Sequence, residues 1–357
     1  MITLSLCMIV KNEEAVLARC LDSISSAVDE IIIVDTGSVD RTKEIAKKYT
    51  DKIYNFEWVD DFSAARNFSF LHAEKEYCIW LDADDIILEN DLLQLKNLKQ
   101  TLDKSCDVVM MPYHTAFDES GKPLFLYYRE RIIKNTHLPL WQGEIHEAIA
   151  PFGKIIYSNI AVTHKKETPA EPMRNLNIFK KILTRRTLSP REQFYYGREL
   201  YYNSLYDEAI SILQDFLSSE SGWIENKIDA CSTLADCFLA KEDTSSAISA
   251  LSKSFLHSSP RAEACCKLGN IMLNLKNYRE AIFWYTKALS MTADTQSGSF
   301  ILPDCYGFIP AIQLCVCYDK LHDFEKANQY NELALSFKPY SSEALYNKKY
   351  FENIFSE

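Results

Sequence analysis

The chain has 357 residues, 47% apolar and 25% charged, the composition of a folded protein whose apolar runs are far shorter than the ~20 residues a membrane helix needs. Its net charge of −11 excludes general nucleic-acid binding, which requires a basic footprint to displace counterions. Only nine glycines stand against 20 tyrosines and 19 phenylalanines, and neither G-x-x-x-x-G-K-[ST] nor G-x-G-x-x-G occurs, so a backbone phosphate cradle is excluded too.

The N-terminus, MITLSLCMIV, lacks a basic start and a cleavage site and reads as a buried strand, not a signal peptide. A cytoplasmic location follows, and the eleven cysteines, without metal-site spacing, are expected to be reduced and buried. Thr3 to Val10 is a strand, and the following segment places Leu17, Leu21 and Ile24 at helical spacing. Glu30 to Asp35 is a β-branched run suited to a parallel sheet buried on both faces. A helix is expected from Arg41 to Tyr49, a strand from Lys52 to Phe56, a helix from Phe62 to Ala73 and a strand from Tyr77 to Leu81. This alternation predicts an open α/β sheet with helices on both faces, and ligands on such sheets lie beyond the carboxyl ends of the strands. Val108 to Thr163 loses the alternation and suits an acceptor-binding half.

Four features fall just past the predicted strand ends and are expected to converge on one crevice. They are Val10-Lys11-Asn12-Glu13-Glu14, Asp35-Thr36-Gly37-Ser38, Asp60-Asp61-Phe62 running to Asn67, and Asp82-Ala83-Asp84-Asp85. Two carboxylates at i and i+2 beyond a strand can present hard oxygen ligands to Mg²⁺ or Mn²⁺, whose open positions hold phosphate oxygens. The same acids can merely cap the next helix. In this glycine-poor chain, a carboxylate-held metal would replace the missing cradle.

Residues 1 to about 165 resemble family 2 glycosyltransferases of the GT-A, nucleotide-diphospho-sugar fold. MIVKNEE resembles the family's first nucleotide strand, VDTGSVDRT its second and WLDADD its metal motif, while DDFSAARNF resembles a bacterial branch bearing tetratricopeptide repeats. The resemblance implies a divalent cation (Mn²⁺ or Mg²⁺) and a UDP-sugar donor, UDP-glucose or a UDP-N-acetylhexosamine. It places Val10 and Glu13 in the nucleoside pocket, Asp35 on the base, Gly37 in the donor turn and Arg66 near base or diphosphate. Asp82 would face ribose or metal, and Asp84 would be the principal metal ligand.

The Glu-Asp pair and Q-x-x-R-W of many relatives do not occur between residues 86 and 170. Arg131-Ile132-Ile133-Lys134-Asn135, Trp141-Gln142-Gly143-Glu144-Ile145-His146-Glu147 and Val162-Thr163-His164 resemble the repeat-bearing branch instead. An inverting transfer needs a base within reach of the acceptor. Glu147 is the first candidate and Glu144 the second, because Glu144 and His146 would share a strand face unless the strand breaks at His146. His146 reads as base, orienting partner or metal ligand, His164 as a late metal ligand, and Trp141 as a sugar platform or a core residue.

Residues 1 to 170 carry 19 basic and 27 acidic side chains, a net −8, whereas His164 to Arg191 holds eight basic and two acidic ones. That basic stretch reads as a solvated linker helix or as a segment near a diphosphate. From Pro190 onward small residues pair at a spacing of 12: Gly197 and Ala209, Ala235 and Ala247, Gly269 and Ala281, Cys315 and Ala327. This resembles four tetratricopeptide repeats with a terminal capping helix. The expected division is therefore a transferase domain over 1–165, a basic linker over 166–189 and an all-α solenoid over 190–357. The resemblance extends to bacterial peptide (bacteriocin) glycosyltransferases, implying a Ser, Thr or Cys side chain of a peptide or protein as acceptor, read by the repeats, and a possible homodimer through them. A cell-envelope glycan or lipid-linked acceptor, or an inactive transferase serving as a scaffold, are the alternatives.

Overall fold

The computed structural model describes residues 1–167, 173–294 and 298–356. The chain forms two compact units, one of residues 1–116 and 127–188, the other of residues 117–126 and 189–357.

The first unit is built on β1 (Leu4–Val10), β2 (Glu30–Asp35), β3 (Ile53–Asn55) and β4 (Tyr77–Trp80), with α1 (Leu17–Ile24), α2 (Thr42–Ala46) and α3 (Phe62–Leu71) between them. The strands run parallel in the order β3-β2-β1-β4, as the uninterrupted apolar run Ile31 to Val34 requires. Beyond β4 the sheet becomes mixed. It continues through β7 (Pro123–Lys134, antiparallel to β4), β6 (Val108–Phe117), β11 (Val162–His164) and β5 (Asp85–Ile86), with β10 (Ile155–Tyr157) also pairing with β6. α4 (Glu89–Thr101) separates β5 from β6, and β8 (Trp141–Gln142) pairs with β9 (Ala148–Ile149) in a separate ribbon. One face of the large sheet packs Leu6, Met8, Leu17, Leu21 and Ile24; the other packs Cys7, Ile32, Val34, Phe70 and Trp80.

The basic segment differs from the expected solvated linker. α5 (Arg174–Leu183) buries Leu176, Ile178, Phe179 and Ile182 within the first unit, its charges occupying the other side.

The second unit is a run of helix pairs: α6 (Pro190–Tyr202) with α7 (Tyr206–Ser218), α8 (Ile224–Ala240) with α9 (Thr244–Lys253), α10 (Ala262–Asn274) with α11 (Tyr278–Leu289), and α12 (Phe308–Lys320) with α13 (Phe324–Phe337), closed by α14 (Ser342–Ile354). Ser189 opens the array with a capping box to Glu192 and Pro190 in the first turn. The small residues mark close helix contacts: a Cβ on Gly197 would lie 2.5 Å from Leu213, and one on Gly269 would lie 2.8 Å from Tyr285. All eleven cysteines are buried and unpaired. Among the described residues no helix is long and apolar enough to cross a membrane.

Candidate active site

The carboxyl ends of β1 and β2 are level, with Val10 opposite Asp35, so their following loops meet. Asn12 takes a left-handed turn (φ 56°), and the two loops are then laced together. Ser38 Oγ accepts from the Asn12 amide at 2.9 Å, Asn12 Oδ1 from the Val39 amide at 2.9 Å, and Thr42 Oγ1 from the Glu13 amide at 2.7 Å. Asp35 is 1% exposed. Its Oδ1 accepts from the Gly37 and Ser38 amides at 3.0 Å, the tight turn being completed by Gly37 at φ 107°. Burial would raise this carboxyl, but Ser38, Gly37 and Lys43 together hold it below its ordinary value. Its buried Oδ2 has no protein partner, an acceptor aimed at nothing within the chain. Val10 contributes differently from expectation: its side chain is in the core and its carbonyl accepts from the Thr36 amide at 2.9 Å.

The acidic loop after β4 is shaped by the next pairing. β5 begins at Asp85 and runs antiparallel to β11 in a register that sets Asp85 opposite His164, and the Lys165 amide donates to the Asp84 carbonyl at 2.9 Å. His164 Nδ1 thereby stands 3.4 Å from Asp84 and 3.3 Å from Asp85. Asp84, Asp85 and His164 offer ligand atoms all within 4.8 Å of one another. Carboxylate oxygens with one imidazole suit a divalent cation such as Mn²⁺ or Mg²⁺, so the side chains fit the expected ion. Burial and the Asp82 and Asp85 charges push Asp84 above its ordinary value, and His164 is also raised, burial being outweighed by Asp85 and Asp84. Glu13 is carried up to about 7 by burial, Asp84 and Asp82, which places it beside the same charge cluster.

Arg66 and Asp82 depart from the roles the sequence suggested. Arg66 is 6% exposed, lies 4.7 Å from the Trp80 ring and 4.9 Å from the Trp141 ring, and donates to Asp82 at 2.7 Å and to Glu147 at 2.5 Å. Half-burial works against the Asp82 carboxylate, yet Arg66 and then Arg131 hold it at about 2. The guanidinium thus joins the acidic loop after β4 to the loop between β8 and β9. Asp82 faces Arg66, while Asp85, which the sequence reading passed over, lies in the cluster.

The strand does break between Trp141 and Ile149. Only Trp141–Gln142 and Ala148–Ile149 are paired, and Gly143 (φ 98°) and His146 (φ 50°) turn the chain between them. Glu147 is thereby delivered to Arg66, whereas Glu144 is drawn to Arg185 at 2.6 Å and Arg186 at 2.9 Å, just past α5. The His146 ring packs near Phe179 of α5, centroids 6.2 Å apart. Trp141 is a core residue: it is 3% exposed and sits edge-on between Phe70 and Trp80, so it has no face to offer a sugar. Arg129 was not anticipated, and Arg131 entered only as the start of the Arg131-Ile132-Ile133-Lys134-Asn135 motif, with no role of its own. Both stack on Trp80, at 4.8 and 3.8 Å, and the alternation of Arg129 and Arg131 along β7 was the available signal.

The first unit is thus a mixed sheet with an acid–histidine cluster beyond the carboxyl end of β4. Residues 5–156 match the model of glycosyl transferase family 2, and residues 262–294 match a tetratricopeptide repeat. Residues 5–156 thus form a domain similar to glycosyl transferase family 2, with a tetratricopeptide repeat C-terminal to it. It is 28% identical over 258 residues to the SPbeta prophage-derived glycosyltransferase SunS of Bacillus subtilis, covering 68% of this chain and 60% of that one. A TPR repeat-containing protein of Synechococcus elongatus is 49% identical over 90 residues, 25% of this chain and 22% of its own. The chain thus spans less than two thirds of the length of these relatives. Among solved structures, MamA overlays 45% of this chain and 85% of its own with a TM-score of 0.37 at 19% identity. Glucosyl-3-phosphoglycerate synthase of Mycobacterium tuberculosis overlays 32% and 44% with a TM-score of 0.28 at 23% identity.

Proposed function

We propose that this chain is an inverting, cation-dependent hexosyltransferase that uses a UDP-sugar and modifies a Ser, Thr or Cys side chain of a peptide or protein in the cytoplasm. The observation that carries this reading is the Arg66 fork, which fastens Asp82 of the cation loop to Glu147 of the acceptor-side loop. Donor and acceptor machinery are thereby held at a fixed separation, as a direct displacement needs. The unpartnered Oδ2 of Asp35 accepts from the imide N–H of uracil, and Glu13 borders the nucleoside. Asp84 and His164 hold Mn²⁺ or Mg²⁺, with Asp85 behind them. When bound, the cation supplies charge neutralisation for a diphosphate leaving group. Glu147 takes the acceptor proton: Arg66 engages its Oε1, whereas Arg185 and Arg186 engage both oxygens of Glu144. The similarity to SunS and the tetratricopeptide repeats support a peptide acceptor.

The test is a panel of UDP-sugars incubated with the purified chain, Mn²⁺ and Ser-, Thr- or Cys-containing peptides, read by mass spectrometry. A hexose mass gain that EDTA and Asp84→Asn both abolish is expected. No donor turnover in any combination would instead leave the chain a scaffold with an inactive transferase fold.

A further inference from the structure

We infer that Arg131, Asp85 and Tyr113 form a buried positioning assembly that orients the cation-holding residues Asp84 and His164, and that Asp85 acts from behind the site without ligating. This rests on the cation reading above and goes beyond it by dividing the acidic cluster into holding and positioning members.

Burial separates the two groups. The side chains of Asp84 and His164 are 26% and 23% exposed, so an ion arriving from solvent meets them. Those of Asp85 and Arg131 are both 0% exposed, and Tyr113 is 6% exposed. A carboxylate has about four lone-pair sites, and the chain itself occupies those of Asp85. Oδ1 accepts from the Tyr113 hydroxyl at 2.7 Å and lies 3.3 Å from His164 Nδ1. Oδ2 accepts from the Asp82 amide at 3.1 Å and faces Arg131 Nη1 at 3.2 Å. Asp85 therefore ties the start of the acidic loop to the histidine.

Arg131 is fixed in turn. Its guanidinium carbon lies 3.8 Å from the Trp80 ring and 4.5 Å from the Tyr113 ring, and Nη1 donates to the Trp80 carbonyl at 3.1 Å. That carbonyl belongs to the last residue of β4, two positions before Asp82. Nε and Nη2 are buried without protein partners, so the arginine is retained at a desolvation cost in a place where an apolar side chain would pack more cheaply. Tyr113 closes the assembly: its oxygen is 2.8 Å from His164 Nδ1, which fixes the plane of the ring. Such outer partners of a metal ligand change affinity by about 10- to 100-fold when removed.

Tyr113→Phe removes one hydroxyl and leaves the ring under Arg131, so it is the variant of choice. Mn²⁺ affinity is measured by electron paramagnetic resonance on the whole chain, and sugar transfer is then followed against Mn²⁺ concentration. The expected result is a Mn²⁺ dissociation constant raised about 10- to 100-fold, with kcat recovered at saturating Mn²⁺, whereas Asp84→Asn is not recovered at any concentration. Asp85→Asn should also retain weakened Mn²⁺ binding. A Tyr113→Phe protein with wild-type affinity overturns the positioning role, and an Asp85→Asn protein as deficient as Asp84→Asn makes Asp85 a ligand, overturning the division. If the wild-type chain takes up no Mn²⁺, the cation reading itself fails, an outcome separate from the other two.

Discussion

Arg66 shows how much one side chain decides in this site. Its planar fork reaches Asp82 through Nη2 and Glu147 through Nε while its faces lie against two tryptophans. Lysine is a point charge and can serve one carboxylate at a time. Arg66→Lys should therefore keep the fold but loosen the separation of the two loops, lowering kcat by about 100-fold with little change in donor KM; an unchanged kcat in steady-state assays would remove the fork from the mechanism. A second buried charge sets acid stability. Glu30, its side chain 4% exposed, accepts from the Ser5 hydroxyl, from the Glu74 amide at 2.9 Å and from Lys52 at 2.5 Å. Burial alone would raise this carboxyl, but the donors hold it below its ordinary 4.5. Because the folded value is the lower one, its stabilisation is complete above the unfolded value and is lost as pH falls through the folded one. Thermal unfolding should show wild type losing stability below pH 4.5 more steeply than Glu30→Gln, which should be about 1–3 kcal/mol weaker at neutral pH; parallel profiles would refute the assignment. At this scale Asp35, Asp84 and His164 were legible, since their positions follow from where strands end. The choice between the two readings of Trp141, the pairing of Arg66 with Asp82 and Glu147, and the buried place of Asp85 were not, because stacking and burial between distant strands leave no mark on local sequence.

The strands and helices were legible for a related reason: each buries a face whose periodicity the sequence carries. α5 shows the limit. Its run of lysines and arginines reads as solvated, yet Leu176, Phe179 and Ile182 recur at helical spacing and are buried beneath the charges. The repeat turns show another. Ser204, Glu242, Lys276 and His322 sit in the left-handed region at φ 60°, 61°, 60° and 59°, one within each helix pair and none of them glycine. A turn rule keyed to glycine would miss all four; the recurrence of small residues on the helices finds the repeats instead. The shortage of glycine therefore does not mean a shortage of turns. Where glycine is kept inside these helices, contact explains it. A Cβ at Gly269 would meet three Tyr285 ring atoms at 2.8–3.0 Å, and that ring is itself 1% exposed. Gly269→Ala gains about 1 kcal/mol of helix propensity but overpacks an enclosed aromatic by about 1–3 kcal/mol. Net destabilisation of up to about 2 kcal/mol is expected in denaturant unfolding, and a stabilised protein would mean that the α10–α11 contact is looser than the structure shows.

Chain order and unit membership do not coincide in the whole molecule. Residues 117–126 precede the repeats by more than 60 positions yet belong to the second unit. Leu126 and Ile301 exchange backbone hydrogen bonds at 3.1 and 2.9 Å, the Phe125 and Phe300 rings stack with centroids 5.7 Å apart, and Asp118 pairs with Lys338 at 3.4 Å. No local pattern announces a bridge between positions 175 apart in number, because its partners carry no shared motif and meet only after a long loop has closed. A cut at residue 189 therefore removes a piece of the repeat unit along with the transferase fold. The isolated 189–357 fragment should unfold at a lower temperature than the same helices in the full chain. Phe125→Ala in the full chain should reproduce part of that loss, about 1–2 kcal/mol for a half-buried ring, localised by faster amide hydrogen exchange in α10 and around Ile301. If fragment and full chain show identical protection there, residues 117–126 add nothing to the repeats. If they differ as expected, deleting the repeats is a poor test of acceptor reading, since the deletion also strips partners from the segment between β6 and β7; substitutions on the repeat surface that leave Phe300 and Ile301 in place test it cleanly.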